Sequence, residues 1–249
     1  MKFFEKAKKF FNFLLDCLFP RCCTICNRKV GGNDYGNLCP SCVEKIPWIR
    51  GNKCSLCSRP MGDTEVSGEG KPICAECKAN PPCFKSGMSC WLHKGVGRDI
   101  ILTLKYRNAD FLKNDIATLL KHYCGEVCEF TENSLLVPVP TPYFRRVKRG
   151  YNQAEVIAYA VAKIVNNASV VNMLRSKNKK SQTKLKRNER LLNIKGMIEC
   201  SMDSEGIPQD SRIVIIDDVS TTGTTVNECC RVLQGAGFNN LHVLTLSYG

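Results

Sequence analysis

The sequence predicts an α/β fold with a parallel sheet, preceded by a separate cysteine-rich module. Twelve of the 17 cysteines lie between Cys17 and Cys90, and from Ser86 onward short apolar segments alternate with longer helical patterns. Strand-helix alternation of this kind is typical of a parallel sheet. A chain of 249 residues is long enough for two units, and we place them at residues 1–85 and 86–249.

The first 19 residues have the pattern of an amphipathic helix. Phenylalanines and leucines recur at helical spacing, and the lysines lie mostly on the opposite face. Asn12 and Asp16 interrupt the apolar stretch, so the pattern does not match a secretory signal. We therefore expect a cytoplasmic protein whose helix packs on its own domain. Peripheral membrane association through residues 2–19 is the less favoured alternative.

Eight cysteines form four Cys-x2-Cys pairs in the first module. Two cysteines at this spacing can both contact one ion at about 2.3 Å, and two such pairs complete a tetrahedral zinc site. In a cytoplasmic protein zinc is favoured over disulfides. Cys22 is an alternative to Cys23, which we favour. The sequence predicts two structural zinc sites, with the ligands Cys23, Cys26, Cys39 and Cys42 in the first and Cys54, Cys57, Cys74 and Cys77 in the second.

The net charge favours polyanionic ligands. The formal value of +13 falls to about +9 when eight thiolates hold two zinc ions, and a basic protein attracts nucleic acid, nucleotides or a diphosphate. Residues 175–195 are the most basic segment, with nine lysines and arginines against the single acid Glu189. This segment has no aromatic residue, which argues against base stacking there but allows contact with the phosphates of a single strand.

The second unit is predicted to contain five strands and three helices. The strands are expected at residues 87–93, 134–139, 170–174, 214–216 and 241–246, and the helices at residues 97–123, 152–166 and 224–235.

Two acids and a Ser/Thr/Gly run follow the apolar strand 214–216, where parallel sheets bind their ligands. A Thr/Gly loop that opens a helix can bind a phosphate through its N–H groups, with Gly223 allowing close approach. Neither a Walker loop nor GxGxxG is present. We predict catalytic roles for Asp217 and Asp218, through sugar hydroxyls or magnesium, and ligand binding by Ser220, Thr221, Thr222, Gly223, Thr224 and Thr225.

Residues 213–226, IVIIDDVSTTGTTV, resemble the phosphoribosyl-diphosphate motif of type I phosphoribosyltransferases. From Phe19 to the C-terminus the chain is similar to the ComF (ComFC) family of competence-associated proteins. This similarity rests on Phe19-Pro20, Leu104-Lys105-Tyr106, the Val-Pro-Val-Pro run 137–140 and the segment 145–153. It implies a paired zinc-ribbon module followed by a phosphoribosyltransferase-like domain that binds phosphoribosyl diphosphate with Mg²⁺.

The resemblance also implies roles for individual residues. Arg145, Arg146, Arg149 and Asn152 become candidate diphosphate contacts, together with Lys105 as a further ligand-binding residue. An arginine-rich loop between a strand and a helix is suited to this task, because guanidinium groups match phosphate oxygens. Segment 175–195 resembles the hood over the active site, and the residues that match its pattern are Gln182, Arg187, Glu189, Arg190 and Asn193.

Three functional hypotheses follow. The favoured one is a role in DNA uptake, in which the protein handles internalised single-stranded DNA and binds phosphoribosyl diphosphate, with transferase activity left open. The second is a Mg²⁺-dependent phosphoribosyltransferase of nucleotide metabolism with an unknown acceptor. The third is a non-catalytic scaffold for a helicase-like partner. His93, His122 and His242 lie in no catalytic context and are expected to be structural.

Overall fold

The computed structural model describes residues 21–30, 35–62, 71–106, 112–177, 196–221 and 223–249. The predicted N-terminal helix, Thr222 and residues 178–195 of the basic segment lie outside these ranges. The five residues that match the hood pattern are among those not described.

The centre of the molecule is a parallel five-stranded sheet, which confirms the predicted fold class. Its strands pair in the order β1-β7-β6-β2-β3. A separate antiparallel pair consists of β4 and β5. The strands are β1 (Ser86–Leu92), β2 (Leu135–Pro138), β3 (Ser169–Val170), β4 (Leu174–Ser176), β5 (Ile198–Cys200), β6 (Ile213–Ser220) and β7 (Leu241–Tyr248).

Helices cover both faces of the sheet. Val214 and Ile216 of β6 belong to the same core as α3, α4 and α7, whereas Ile213 and Ile215 pack with α8. The described helices are α1 (Pro40–Val43), α2 (Ala75–Ala79), α3 (Gly95–Tyr106), α4 (Leu112–Tyr123), α5 (Glu126–Thr131), α6 (Tyr143–Arg149), α7 (Gln153–Ala162) and α8 (Thr224–Gly235), with a 3₁₀ turn at Met202–Ser204. Within these ranges no helix has both the length and the apolar character needed to cross a membrane.

Four predicted elements need correction. The single helix at 97–123 is described as two helices, α3 and α4, and the single strand at 170–174 as β3 and β4. Val171 still bonds to β2, but Met173 accepts a hydrogen bond from Ser201, so the chain leaves the main sheet between them. Strand β6 continues to Ser220, because it pairs with β7 beyond its apolar residues. The arginine-rich loop is the helix α6.

The cysteine-rich module and the sheet share a core. The backbone around Trp48 pairs with β1, since the Ile49 N–H donates to Cys90 (2.9 Å) and the Leu92 N–H to Pro47 (2.9 Å). The Trp48 ring stacks on Tyr123 with 5.3 Å between ring centroids. Cysteines of the first zinc site are buried in this same core. Contacts therefore cross residue 85, and the domain boundary that we placed there from the sequence stays a prediction.

Candidate functional site

The eight predicted metal ligands form two compact clusters. Cys23, Cys26, Cys39 and Cys42 make one and Cys54, Cys57, Cys74 and Cys77 the other, and in each cluster the four sulfur atoms lie within 4.8 Å of one another. Tetrahedral zinc with bonds of about 2.3 Å separates its sulfurs by about 3.8 Å, close to the 3.6 Å between Cys26 and Cys39 and the 3.7 Å between Cys57 and Cys74. The clusters fit Zn²⁺, and the first contains Cys23 rather than Cys22.

Backbone N–H groups support both clusters in the same way. The Cys39 N–H donates to the Cys23 sulfur (3.4 Å), and the Cys74 N–H donates to the Cys54 sulfur (3.3 Å). These bonds stabilise thiolate charge, as expected around a metal ligand. The clusters differ in their surroundings, because the first is part of the main core and the second packs in a small cluster of its own. A site with four thiolates has no open position and is structural.

The second candidate site is a cavity of about 370 Å³ at the carboxyl ends of the strands. Asp217 and Asp218 lie in its wall, near the end of β6. The Lys105 Nζ from the end of α3 lies 2.9 Å from the Asp218 Oδ2, so the two form an ion pair. The Asp218 N–H donates to the Asp217 Oδ1 at 2.8 Å. The predicted acids and the predicted lysine therefore meet in one place.

Asp217 has an unusual electrostatic environment. Burial and the neighbouring Asp218 carboxylate raise the pKa of Asp217 to about 7. The Asp218 N–H and the Lys105 charge act in the opposite direction but do not compensate. An ionised Asp217 is therefore costly without a further hydrogen-bond donor or cation in the cavity. Shifted acids of this kind are concentrated at functional sites.

The predicted phosphate-binding loop connects β6 to α8. Gly223 begins α8 with a φ of 66°, a left-handed conformation that favours glycine, and no described side chain caps the helix there. The first N–H groups of a helix have no intrahelical partner and attract anions. Thr221 and Thr225 also line the cavity. The loop thus presents its helix N-terminus beside the acid pair.

Helix α6 supplies the basic side of the cavity. Arg145 and Arg149 line it, whereas Arg146 lines a neighbouring cavity and lies 4.0 Å from Glu155. Asn152 is buried, and its hydrogen bonds are structural. Its Oδ1 caps α7 by accepting from the Ala154 N–H (3.1 Å), and its Nδ2 donates to the Val139 carbonyl (3.0 Å). Direct contact between Asn152 and a diphosphate stays a prediction.

Several residues that line the cavity were not assigned to the site from the sequence, and His93 and Gln153 are two of them. His93 follows β1 directly, and Gln153 begins α7. Gln153 accepts a hydrogen bond from Arg149 (2.9 Å) and so helps to position that guanidinium group. Burial, with the positive charges of Lys105 and Arg98, lowers the pKa of His93. The position of His93 at the carboxyl end of a predicted strand was a signal for its place in the site.

His242 is structural, as the sequence predicted. It lies in β7, and its Nδ1 is 2.8 Å from the Ser86 Oγ on β1. The Arg212 guanidinium donates to its Nε2 at 2.9 Å. Burial, followed by the charges of Arg212 and Lys85, lowers the pKa of His242 to about 4. A neutral imidazole therefore links two strands.

The described residues on either side of 178–195 are held together, and Leu174, Arg175 and Ser176 line the neighbouring cavity, which Arg146 also lines. Strands β4 and β5, which precede and follow residues 178–195, pair with each other. The backbone N–H of Lys177 donates a hydrogen bond to the Met197 carbonyl (2.8 Å). The Gly196 N–H donates to the buried Glu228 carboxylate of α8 at 2.7 Å. The described residues that flank 178–195 are therefore bonded to each other, and Gly196 is bonded to α8.

Comparisons with known proteins agree with this architecture. The family described as "Double zinc ribbon domain" matches residues 14–78, and the family described as "Phosphoribosyl transferase domain" matches residues 136–249. Competence protein F of Haemophilus influenzae is 27% identical over 226 residues, which cover 86% of this chain and 98% of the relative. Competence protein ComFC of Bacillus subtilis is 26% identical, covering 80% of this chain and 79% of the relative. DNA utilization protein YhgH of Salmonella typhi is 24% identical, covering 91% and 96%.

The fold and the two kinds of site define a class of protein in which a double zinc ribbon is joined to a phosphoribosyltransferase domain. Similarity to the relatives extends across both parts of the chain. The chain is a homologue of the ComF and ComFC competence proteins.

Proposed function

We propose that this protein binds phosphoribosyl diphosphate with Mg²⁺ in the cavity at the end of β6 and acts in DNA uptake by handling internalised single-stranded DNA. The main support is one observation. An acid pair, a lysine, two arginines and the N-terminus of α8 converge on a single cavity of about 370 Å³. A ligand with sugar hydroxyls between two phosphate groups fits this distribution of charge.

The chemical groups of the ligand match different parts of the cavity. The 5′-phosphate fits the N–H groups of the loop from Ser220 to Thr225. The sugar hydroxyls fit the carboxylates of Asp217 and Asp218, which also offer the oxygen ligands that Mg²⁺ prefers. Bound Mg²⁺ would supply positive charge to the diphosphate. The Lys105 ammonium has three donors, so its bond to Asp218 leaves others for diphosphate oxygens.

The DNA-handling part has separate support. The relatives carry the names of competence and DNA utilization proteins, and the basic net charge suits a polyanion. An association with a helicase-like partner follows from the family resemblance alone and stays a prediction.

Calorimetric titration with phosphoribosyl diphosphate and Mg²⁺ tests the first part. The wild type should bind, and an Asp217→Asn/Asp218→Asn variant should lose binding by at least about tenfold, since charge-assisted contacts are worth about 1.5–3 kcal/mol each. Asp210→Asn is the matched control, because Asp210 is exposed and lies outside the cavity. Zinc content and unfolding curves would establish that each variant is folded. A folded, zinc-loaded wild type that fails to bind would refute this part of the proposal.

Transferase activity is a second candidate function. The arginines and Lys105 surround the region in which a departing diphosphate would gain charge, and stabilising such charge is a catalytic effect. Release of diphosphate from phosphoribosyl diphosphate, measured with a panel of nucleobase acceptors, tests it. If the protein binds phosphoribosyl diphosphate but releases no diphosphate with any of these acceptors, the transferase hypothesis fails and the ligand-binding function stands.

A further inference from the structure

The exposed large hydrophobic side chains of the described residues lie on α3, α6 and α7, helices that also contribute residues to the wall of the cavity. Tyr106 directly follows the cavity residue Lys105, and the α6 residues lie between the cavity residues Pro142 and Asn152. The set comprises Tyr106 (68% exposed), Tyr143 (57%), Phe144 (67%), Val147 (65%) and Tyr159 (46%). Four of these five are aromatic. Exposed apolar groups gathered in one region generally indicate an interaction site.

Positive charges are interleaved with these rings. The Arg149 guanidinium lies 5.6 Å from the centre of the Tyr106 ring, and the Lys113 ammonium lies 4.5 Å from the centre of the Tyr159 ring. Helix α6 has the sequence Tyr-Phe-Arg-Arg-Val-Lys-Arg, with four basic residues, no acid and no buried residue. Its rings are therefore exposed to water beside several cations, of which Arg146 lies 4.0 Å from Glu155.

We propose that this aromatic–basic surface, formed by Tyr106, Tyr143, Phe144 and Tyr159 with Lys113 and the arginines of α6, binds single-stranded nucleic acid. Bases stack on the rings, and phosphates lie against the cations. The inference rests on the DNA-handling part of the proposed function and specifies where the strand is held.

A single strand fits this surface better than other occupants. A duplex conceals the faces of its bases, so it offers nothing for the rings to stack on. A helix that binds a membrane needs a continuous apolar face, whereas α6 has only seven residues, of which four are basic. Arg145 and Arg149 also line the cavity, so the aromatic–basic surface begins at its mouth. The basic segment 175–195 lacks aromatic residues, and this surface provides them.

Two variants with the same number of substitutions separate stacking from simple hydrophobic contact. Tyr143→Leu/Phe144→Leu keeps apolar side chains but removes the rings, and Tyr143→Phe/Phe144→Tyr keeps the rings. Binding of a fluorescein-labelled oligodeoxythymidylate, measured by anisotropy, should weaken at least about tenfold in the leucine variant and stay within about twofold in the other. The dependence of affinity on salt should be the same in both, because no charge changes.

A second pair of variants tests the charges. Arg145→Gln should weaken binding and reduce the slope of log affinity against log salt by about 0.7, the amount expected for one phosphate contact on a single strand. Lys121→Gln removes an exposed charge from α4 and should leave the slope unchanged.

The possible results separate this inference from the proposed function. If the wild type does not bind the oligonucleotide, the DNA-handling part fails, and the surface assignment fails with it. If the wild type binds and the leucine variant binds equally well, only the surface assignment is overturned. The surface assignment is also overturned if the leucine variant binds the oligonucleotide as well as the wild type does but no longer binds vesicles of anionic phospholipid.

Discussion

Replacing Asp217 with asparagine should make the protein more stable at pH 8 and less able to bind its ligand. The folded protein holds the Asp217 pKa at about 7, against 3.8 for an unperturbed aspartate. Between these values the folded state binds more protons than the unfolded state, so the stability due to this group falls as pH rises and levels off above pH 7. Asparagine removes this loss and keeps an oxygen that can accept from the Asp218 N–H.

The size of the effect follows from the pKa shift. One pKa unit corresponds to about 1.4 kcal/mol, so the wild type should lose up to about 2 kcal/mol between pH 5.5 and pH 8 because of Asp217. Asp217 is only half-buried, and screening by water reduces this to about 1–2 kcal/mol. In a protein of this size that range corresponds to about 2–8 °C in the midpoint of thermal unfolding.

Thermal and urea unfolding of zinc-loaded protein at the two pH values measure this effect. The advantage of Asp217→Asn over the wild type should grow from pH 5.5 to pH 8. Asp218→Asn is the matched control and should be destabilising at pH 8, because it deprives Lys105 of its ion-pair partner. The reasoning is refuted if Asp217→Asn is less stable than the wild type at pH 8, or if its advantage is the same at both pH values.

Three further predictions follow from individual contacts. Lys105→Met should destabilise the protein by about 2–4 kcal/mol at pH 8, because Asp218 loses its cation and the ionised Asp217 loses a nearby positive charge. At pH 5.5 Asp217 is protonated, so the loss should be smaller, and an equal loss at the two pH values in urea unfolding would contradict this. Cys26→Ser should lower the unfolding midpoint by more than about 5 °C and speed amide exchange in β1, since the first zinc site belongs to the main core. Cys57→Ser should speed exchange in β1 less than Cys26→Ser does, because the buried cysteines of the second site belong to a small cluster outside the main core, and equal exchange in β1 for the two variants would count against the distinction. His242 has a pKa lowered to about 4, so the unfolded chain binds more protons below pH 6.5 and stability falls on acidification. His242→Asn should reduce that fall by about 2 kcal/mol between pH 7 and pH 5, and an unchanged pH dependence would argue against it.

Local patterns in the sequence were sufficient to predict the metal-binding cysteines and the residues that follow β6. The four Cys-x2-Cys pairs determined both zinc clusters, because two cysteines at that spacing reach one ion without help from the rest of the fold. Asp217, Asp218 and the Thr/Gly run fell in the predicted place for the same reason. They directly follow an apolar strand, and its carboxyl end is fixed by the parallel topology.

Contacts between residues far apart in the chain could not be predicted from local sequence patterns. The ion pair of Lys105 with Asp218 joins positions 113 residues apart in the chain, and it depends on how α3 packs beside β6. The raised pKa of Asp217 depends in turn on that burial. The helical form of the arginine-rich segment ends at Gly150, whose φ of 81° is left-handed. Within this helix residues four apart share a face, so Arg145 and Arg149 line the main cavity, whereas Arg146 lines its neighbour.

The sequence by itself determined the cysteines of the two zinc-ribbon sites, the parallel α/β class and the position of the predicted phosphate-binding loop, because each depends on residues close together in the chain. The tertiary structure decided which charges meet. It joined the first ribbon to the core of the sheet, paired Lys105 with Asp218 and left the rings of α6 exposed. These features depend on the packing of segments far apart in sequence, and hydrophobic periodicity describes only one segment at a time.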